Sequence, residues 1–132
     1  MMKLQSHLRK QRPYSSLLWH ESQAMPGVRY AIRRVSLAQR IELTKRVREL
    51  SIRHEFLKAG DVPDQLEGSL ADLLVQKLYL EWGLAELGGL TIDDQPATIE
   101  ALIDKGPEQL SDEIVAAIRG EIGLSEEERK NS

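Results

Sequence analysis

The chain has 132 residues, the length of one domain that buries roughly two-thirds of its unfolded surface and needs no staple to hold a core. It contains no cysteine, which excludes disulfides, a thiolate nucleophile and a Cys-based zinc site and agrees with a reducing compartment. The net charge of −3 conceals a division, because residues 1–60 carry 13 Lys and Arg against 4 Asp and Glu whereas residues 61–132 carry 5 against 17. Such a split suits halves that attract each other, or oppositely charged partner faces, as well as nucleic-acid contact.

Residues 1–25 are polar and basic without a sustained period and read as a loosely held arm, in which Tyr14, Leu17, Leu18 and Trp19 anchor at most a short segment. Lys3, Arg9, Lys10 and Arg12 lie close together there, within reach of phosphate, although a solubilising tail is the simpler reading. The run Leu17-Leu18-Trp19 is far short of a signal core of about 7–15 residues or a membrane span of about 20, so neither export nor membrane crossing is expected. Pro26-Gly27 marks a turn, after which Val28, Tyr30 and Ile32 alternate with Arg29, Ala31 and Arg33 and predict a short edge strand.

Ser36 and Gln39 have capping-box spacing and start a first long helix at Leu37, which Gly60 ends. Asp61, Pro63 and Asp64 break the chain before a second long helix over about 65–87, closed by Gly88-Gly89, and the short link predicts an antiparallel hairpin. Leu90 to Thr98 reads as a small β-hairpin or an extended loop around Asp93-Asp94. Thr98 caps a short helix to about Lys105, and Gly106-Pro107 opens a further helix to about Ile122. Ser125 and Glu128 repeat the capping spacing in an acidic tail. The expected organisation is an arm over 1–25, a single helical domain over 26–124 and a tail over 125–132. The expected fold is mainly α: an antiparallel two-helix hairpin plus C-terminal helices, with a short N-terminal strand and the small hairpin or loop near 90–97.

The stretch from Arg33 to Leu50 is rich in Lys and Arg, yet on a helical projection the charges scatter while Leu43, Val47, Leu50, His54 and Leu57 form one stripe. Glu42 and Glu49 precede Arg46 and Arg53 by four residues, a solvated pairing that repels phosphate, so nucleic-acid recognition by this helix is disfavoured. The second helix shows two stripes. Leu66, Leu70, Leu73, Leu80, Leu84 and Leu87 make one, interrupted by Lys77, whose stem can snorkel. Leu74, Leu78 and Trp82, extended by Val75 and Tyr79, make the other. The plainer account lets Leu110, Ile114, Ala117 and Ile118 of the last helix cover the second stripe. The alternative leaves part of it, with Ile41, Ile52 and Phe56 of the first helix, for a partner or for self-association. The candidate partner-binding residues are therefore Leu74, Leu78, Tyr79, Trp82, Ile52 and Phe56.

Catalytic and metal chemistry find little foothold. His7, His20 and His54 are far apart, and none makes a ligand pair with another. His20-Glu21 beside Trp19 is a poor acid–base pair on a mobile arm, since catalysis needs fixed geometry. Asp93-Asp94 and Glu126-Glu127-Glu128 do not follow a calcium-loop pattern, and Gly88-Gly89 precedes a presumed strand, the wrong context for a phosphate cradle. The expectation is a noncatalytic protein without cofactor or metal.

The run PGVRYAIRRVSLAQRIELTKRVRELSIRHEFLKAG, followed by LYLEWGLAELGGLTIDDQPATIEALIDKGPEQLSDEIVAAIRGEIGLSEEERKN, resembles small proteins from the tail-gene regions of tailed bacteriophages and prophages, some of them regarded as tail-assembly chaperones. Its telling pieces are Pro26-Gly27, Tyr79-Leu80 with Trp82-Gly83, Ile92-Asp93, Pro96-Ala97-Thr98, Gly106-Pro107-Glu108, Gly123-Leu124-Ser125 and Arg129-Lys130-Asn131, within residues 26–131. The resemblance implies a helical protein of the bacterial host cytoplasm that holds the aggregation-prone tape-measure protein until the tail tube polymerises around it. The alternatives are a minor structural or adaptor protein of the tail, or a small nucleic-acid-binding regulator that uses the basic half.

Overall fold

The computed structural model describes the backbone of residues 11–58 and 64–130 and the side chains of residues 11–53 and 70–123. In chain order the elements are β1 (Leu17–Glu21), β2 (Arg29–Arg33), α1 (Leu37–Lys58), α2 (Asp64–Gly83), β3 (Leu84–Gly88), β4 (Thr91–Ile92), β5 (Gln95–Pro96), α3 (Ile99–Lys105) and α4 (Glu108–Lys130). The strand after Pro26-Gly27 forms as its alternation predicts, but as the centre of a sheet rather than an edge. β1 and β3 flank β2, both antiparallel to it.

The expected mainly helical fold is thereby corrected to a mixed α/β one. Two segments cause the difference. Leu17–Glu21, read as part of a loose arm, pairs with β2 in full register from Leu17↔Arg33 to Glu21↔Arg29, so the ordered domain starts before Pro26. Leu84–Gly88, read as the last turn of a helix, leaves α2 at Gly83 and pairs with the other side of β2. Leucine favours helices by only a few tenths of a kcal/mol, which a buried strand pairing outweighs.

A bulge explains the misleading spacing in β3. Leu84 lies opposite Ile32 and Glu86 opposite Ala31, so β3 has one residue more than β2 at that point. The extra residue puts Leu84 and Leu87 on the inner face although they are three apart, the separation of neighbours on a helix. On the same face lie Leu18, His20, Tyr30 and Ile32, and helices cover it. The outer face carries Trp19, Arg29, Arg33 and Glu86, with the Arg29 guanidinium 5.0 Å over the Trp19 ring.

The core joins this inner face to four helices: Val28, Tyr30, Ile32 and Leu84 meet Leu43 of α1, Leu80 and Trp82 of α2, Leu102 of α3, and Leu110, Ile114, Val115 and Ile118 of α4. α1 packs on α2, and α4 packs on both α2 and β2. Helix starts follow the expected chemistry. The amide of Gln39 donates to Ser36 Oγ at 3.2 Å and that of Ala101 donates to Thr98 Oγ1 at 3.0 Å. Between β4 and β5, Asp93 and Asp94 have φ of 53° and 65°. Left-handed backbone at both central residues is the geometry of a two-residue hairpin turn, so the segment near 90–97 is a hairpin and not a loop. α4 runs without a break to Lys130, past the boundary expected at 124. The helix start expected at Ser125 does not occur, because that residue lies inside α4, and the end expected at Gly60 falls outside the described residues.

Gly83 fixes how closely α2 approaches α4, because a Cβ there would lie 2.8 Å from Ile118 Cδ1. Gly83→Ala is expected to overpack this contact and cost about 1–3 kcal/mol of stability in urea melts. Gly120→Ala, where a Cβ would meet nothing within 4 Å, should be neutral or slightly stabilising.

Candidate interaction surface

α1 has two apolar sides. Leu43, Val47 and Leu50 face inward, with Leu43 in the core. At 100° per residue, Leu37, Ile41, Lys45, Arg48 and Ile52 fall on the opposite side within one narrow stripe. Leu37, Ile41 and Ile52 are 80%, 50% and 63% exposed. Leu37, Ile41, Thr44, Lys45 and Arg48 border a shallow groove of about 280 Å³. On α2, Leu70 and Leu73 are also exposed. Leu73 lines a second open groove, of about 340 Å³, with Lys77, Leu102, Glu108 and Asp112.

The structure separates the residues expected to bind a partner. Ile52 is at the surface as expected, whereas Leu74, Leu78 and Tyr79 are half-buried. Leu78 lines a cleft of about 110 Å³ with Arg46, Glu49, Leu50 and Arg53, where α1 lies against α2. Tyr79 has the Arg119 guanidinium 5.5 Å from its ring centre, a contact between α2 and α4. Trp82 is only 4% exposed and belongs to the core, so its expected role as a surface anchor is corrected: it packs the monomer. Phe56 lies outside the described side chains. The plainer account of the second stripe therefore fits Trp82, with Leu110, Ile114 and Ile118 of α4 in the same core. Leu37 was missed, because a residue in the first helical turn adds no second point to a stripe until the helix orientation is known.

The most concentrated polar chemistry surrounds Glu113 of α4. Its Oε1 accepts the backbone amides of Gln23 and Ala24 at 2.8 and 2.9 Å, in the loop between β1 and β2. Burial pushes this carboxyl group up, but the Ala24 amide, the Ser22 hydroxyl, the Gln23 amide and the Tyr30 phenol together hold it below the usual carboxylate range. Oε2 is buried and has no partner of full hydrogen-bond geometry, so the two hydroxyls act on the charge at looser distance. Burial, and then the nearby Glu113 charge, push the Tyr30 phenol up to about 12. The ring of His20 stacks on Tyr30 with centroids 5.4 Å apart.

This cluster fastens the β1–β2 loop to α4. A carboxylate kept ionised by two amides is a weak base, and Ser22, 6% exposed, already accepts the Met25 amide at 2.9 Å. Among the described residues no group of three His, Asp or Glu side chains is placed to hold a metal ion, and no helix is long and apolar enough to cross a membrane. Among the described residues the cations of the basic half are spread over several elements. Arg29 and Arg33 point off the sheet, Arg46 pairs with Glu42 at 2.9 Å, and Lys45 and Arg48 lie on the outer side of α1. The expected Glu49–Arg53 pair does not form among the described residues.

Comparison with known proteins gives no match: no family model, no curated protein and no solved structure matches the chain.

Proposed function

We propose that this protein is a noncatalytic tail-assembly chaperone of a tailed bacteriophage or prophage, holding an aggregation-prone tape-measure protein in the bacterial cytoplasm during tail morphogenesis. Two things support the reading. One is the resemblance carried by residues 26–131. The other, which carries most weight, is the aliphatic surface left on the helical pair after the core has closed, with Leu37, Ile41, Ile52, Leu70 and Leu73 exposed. Scattered apolar residues need no explanation, but an ordered stripe on the side of a helix opposite its packed side is suited to gripping an amphipathic client.

Co-expression with the tape-measure protein of its own tail-gene region tests the proposal. The tape measure should be soluble and co-purify with this chain, and purified virions should lack the chain by mass spectrometry. A tape measure equally soluble without it would contradict the holding role. Stoichiometric recovery from virions would make it a structural or adaptor component of the tail instead.

A further inference from the structure

We infer that the outer stripe of α1 is a docking site for an amphipathic helix whose apolar face is flanked by Asp or Glu. This inference rests on the proposed holding function and adds the location of the grip and the chemistry of what is gripped. From Leu37 to Ile52 the stripe extends 15 residues, about 22 Å along the axis, long enough for roughly four turns of a partner helix. Its aliphatic members are each at least half exposed. Two cations sit between them, in the order Leu37, Ile41, Lys45, Arg48, Ile52.

Charge selects the occupant. Neither Lys45 nor Arg48 has an ion pair among the described residues, although the same helix pairs Arg46 with Glu42 one face away. The described acids of α1, Glu42 and Glu49, project about 80–100° from the stripe. A cation left unpaired between exposed aliphatics favours an acidic helix and disfavours a basic one. Phosphate would meet the two cations but leave Leu37, Ile41 and Ile52 in water, so nucleic acid fits this surface less well than an acidic apolar helix. A second copy meeting stripe to stripe would set Lys45 and Arg48 against like charges. A copy that turned its α2 side to the stripe would offer Leu73 beside Glu108 and Asp112, so a homodimer is an outcome the test has to tell apart from a separate acidic helix.

The test uses the full chain and two synthetic helical peptides of about 20 residues that share one leucine face, the first flanked by Glu and the second by Lys. At about 50 mM salt the Glu peptide should bind at least roughly tenfold more tightly, and the gap should narrow at about 500 mM as screening shortens the reach of the charges. Lys45→Glu with Arg48→Glu should reverse the preference. Ile41→Ser should weaken both peptides, and far-ultraviolet circular dichroism should be unchanged in each variant. Equal binding of the two peptides, or a preference that survives the double charge reversal, would overturn the inference. So would a homodimer that Ile41→Ser dissolves, or duplex DNA that binds through the same two cations more tightly than the Glu peptide. Solubilisation of the tape measure separates the two levels: if the charge-reversed variant still holds it, the docking site is wrong and the function stands. If the wild type fails to hold it, the function falls whatever the peptides do.

Discussion

Truncating Trp82 to Ala lowers the unfolding free energy by about 3–5 kcal/mol, a large part of the roughly 5–15 kcal/mol that a domain of this size has to lose. The indole is 4% exposed and sits in one cluster with Leu80, Leu84, Ile114 and Ile118, drawn from α2, β3 and α4. Its removal leaves a cavity where these elements meet, and the neighbours are too constrained to fill it. Ile52→Ser, at a side chain 63% exposed, should change stability by no more than about 0.5 kcal/mol. Urea melts of the two variants side by side give the comparison. If Trp82→Ala melted like the wild type, the core described above would be wrong, and Trp82 would return to the surface role that its place in the leucine pattern suggests.

Replacing Glu113 by Ala should cost about 2–3 kcal/mol, because two loop amides lose a charged acceptor and the β1–β2 loop loses its tie to α4. The wild-type carboxyl group titrates lower in the folded chain than its ordinary value of 4.5, so its stabilisation is complete above that pH and is lost as pH falls through the folded value. Glu113→Gln cannot titrate. Its melting curve should be flatter than that of the wild type below pH 4.5, and the two should run parallel between pH 6 and 8. Tyr30 gives the opposite sign at the alkaline end. With its phenol raised from 10.0 to about 12, the stability it contributes is complete below pH 10 and is lost as pH rises towards 12. A wild type as acid-resistant as Glu113→Gln would show that the carboxylate is not held by those amides.

Local chemistry at two helix starts and one turn was readable from the residues. Ser36 and Thr98 cap where their spacing placed them, Val28, Tyr30 and Ile32 face inward, and Asp93-Asp94 makes a hairpin turn. Pairing at a distance was not readable. Leu84 and Leu87 share a face through a bulge, and a separation of three looks the same whether a helix or a bulged strand produces it. Leu17–Glu21 does alternate, with Leu18 and His20 inward, but five residues in a basic stretch carry too short a period to stand out before β2 is known to be their partner.

The surface was half legible for the same reason. A projection of α1 separates its two sides without saying which one α2 covers. Only the packing of Leu43 and Val47 on the core, with Leu50 in the cleft beside Leu78, assigns Leu37, Ile41 and Ile52 to solvent. Trp82 went the other way, since a second stripe on α2 reads as surplus until α4 and the sheet are in place over it. Glu113 had no signal of its own, because its partners are backbone amides 89 and 90 residues away.

The sharpest single measurement is the soluble yield of the tape-measure protein when it is co-expressed with the triple variant Leu37→Ser, Ile41→Ser, Ile52→Ser. These side chains lie outside the core, so the variant should melt close to the wild type. It should nonetheless leave most of the tape measure in the insoluble fraction. A tape measure kept as soluble by this variant as by the wild-type chain would contradict the claim that the uncovered side of α1 is what holds it.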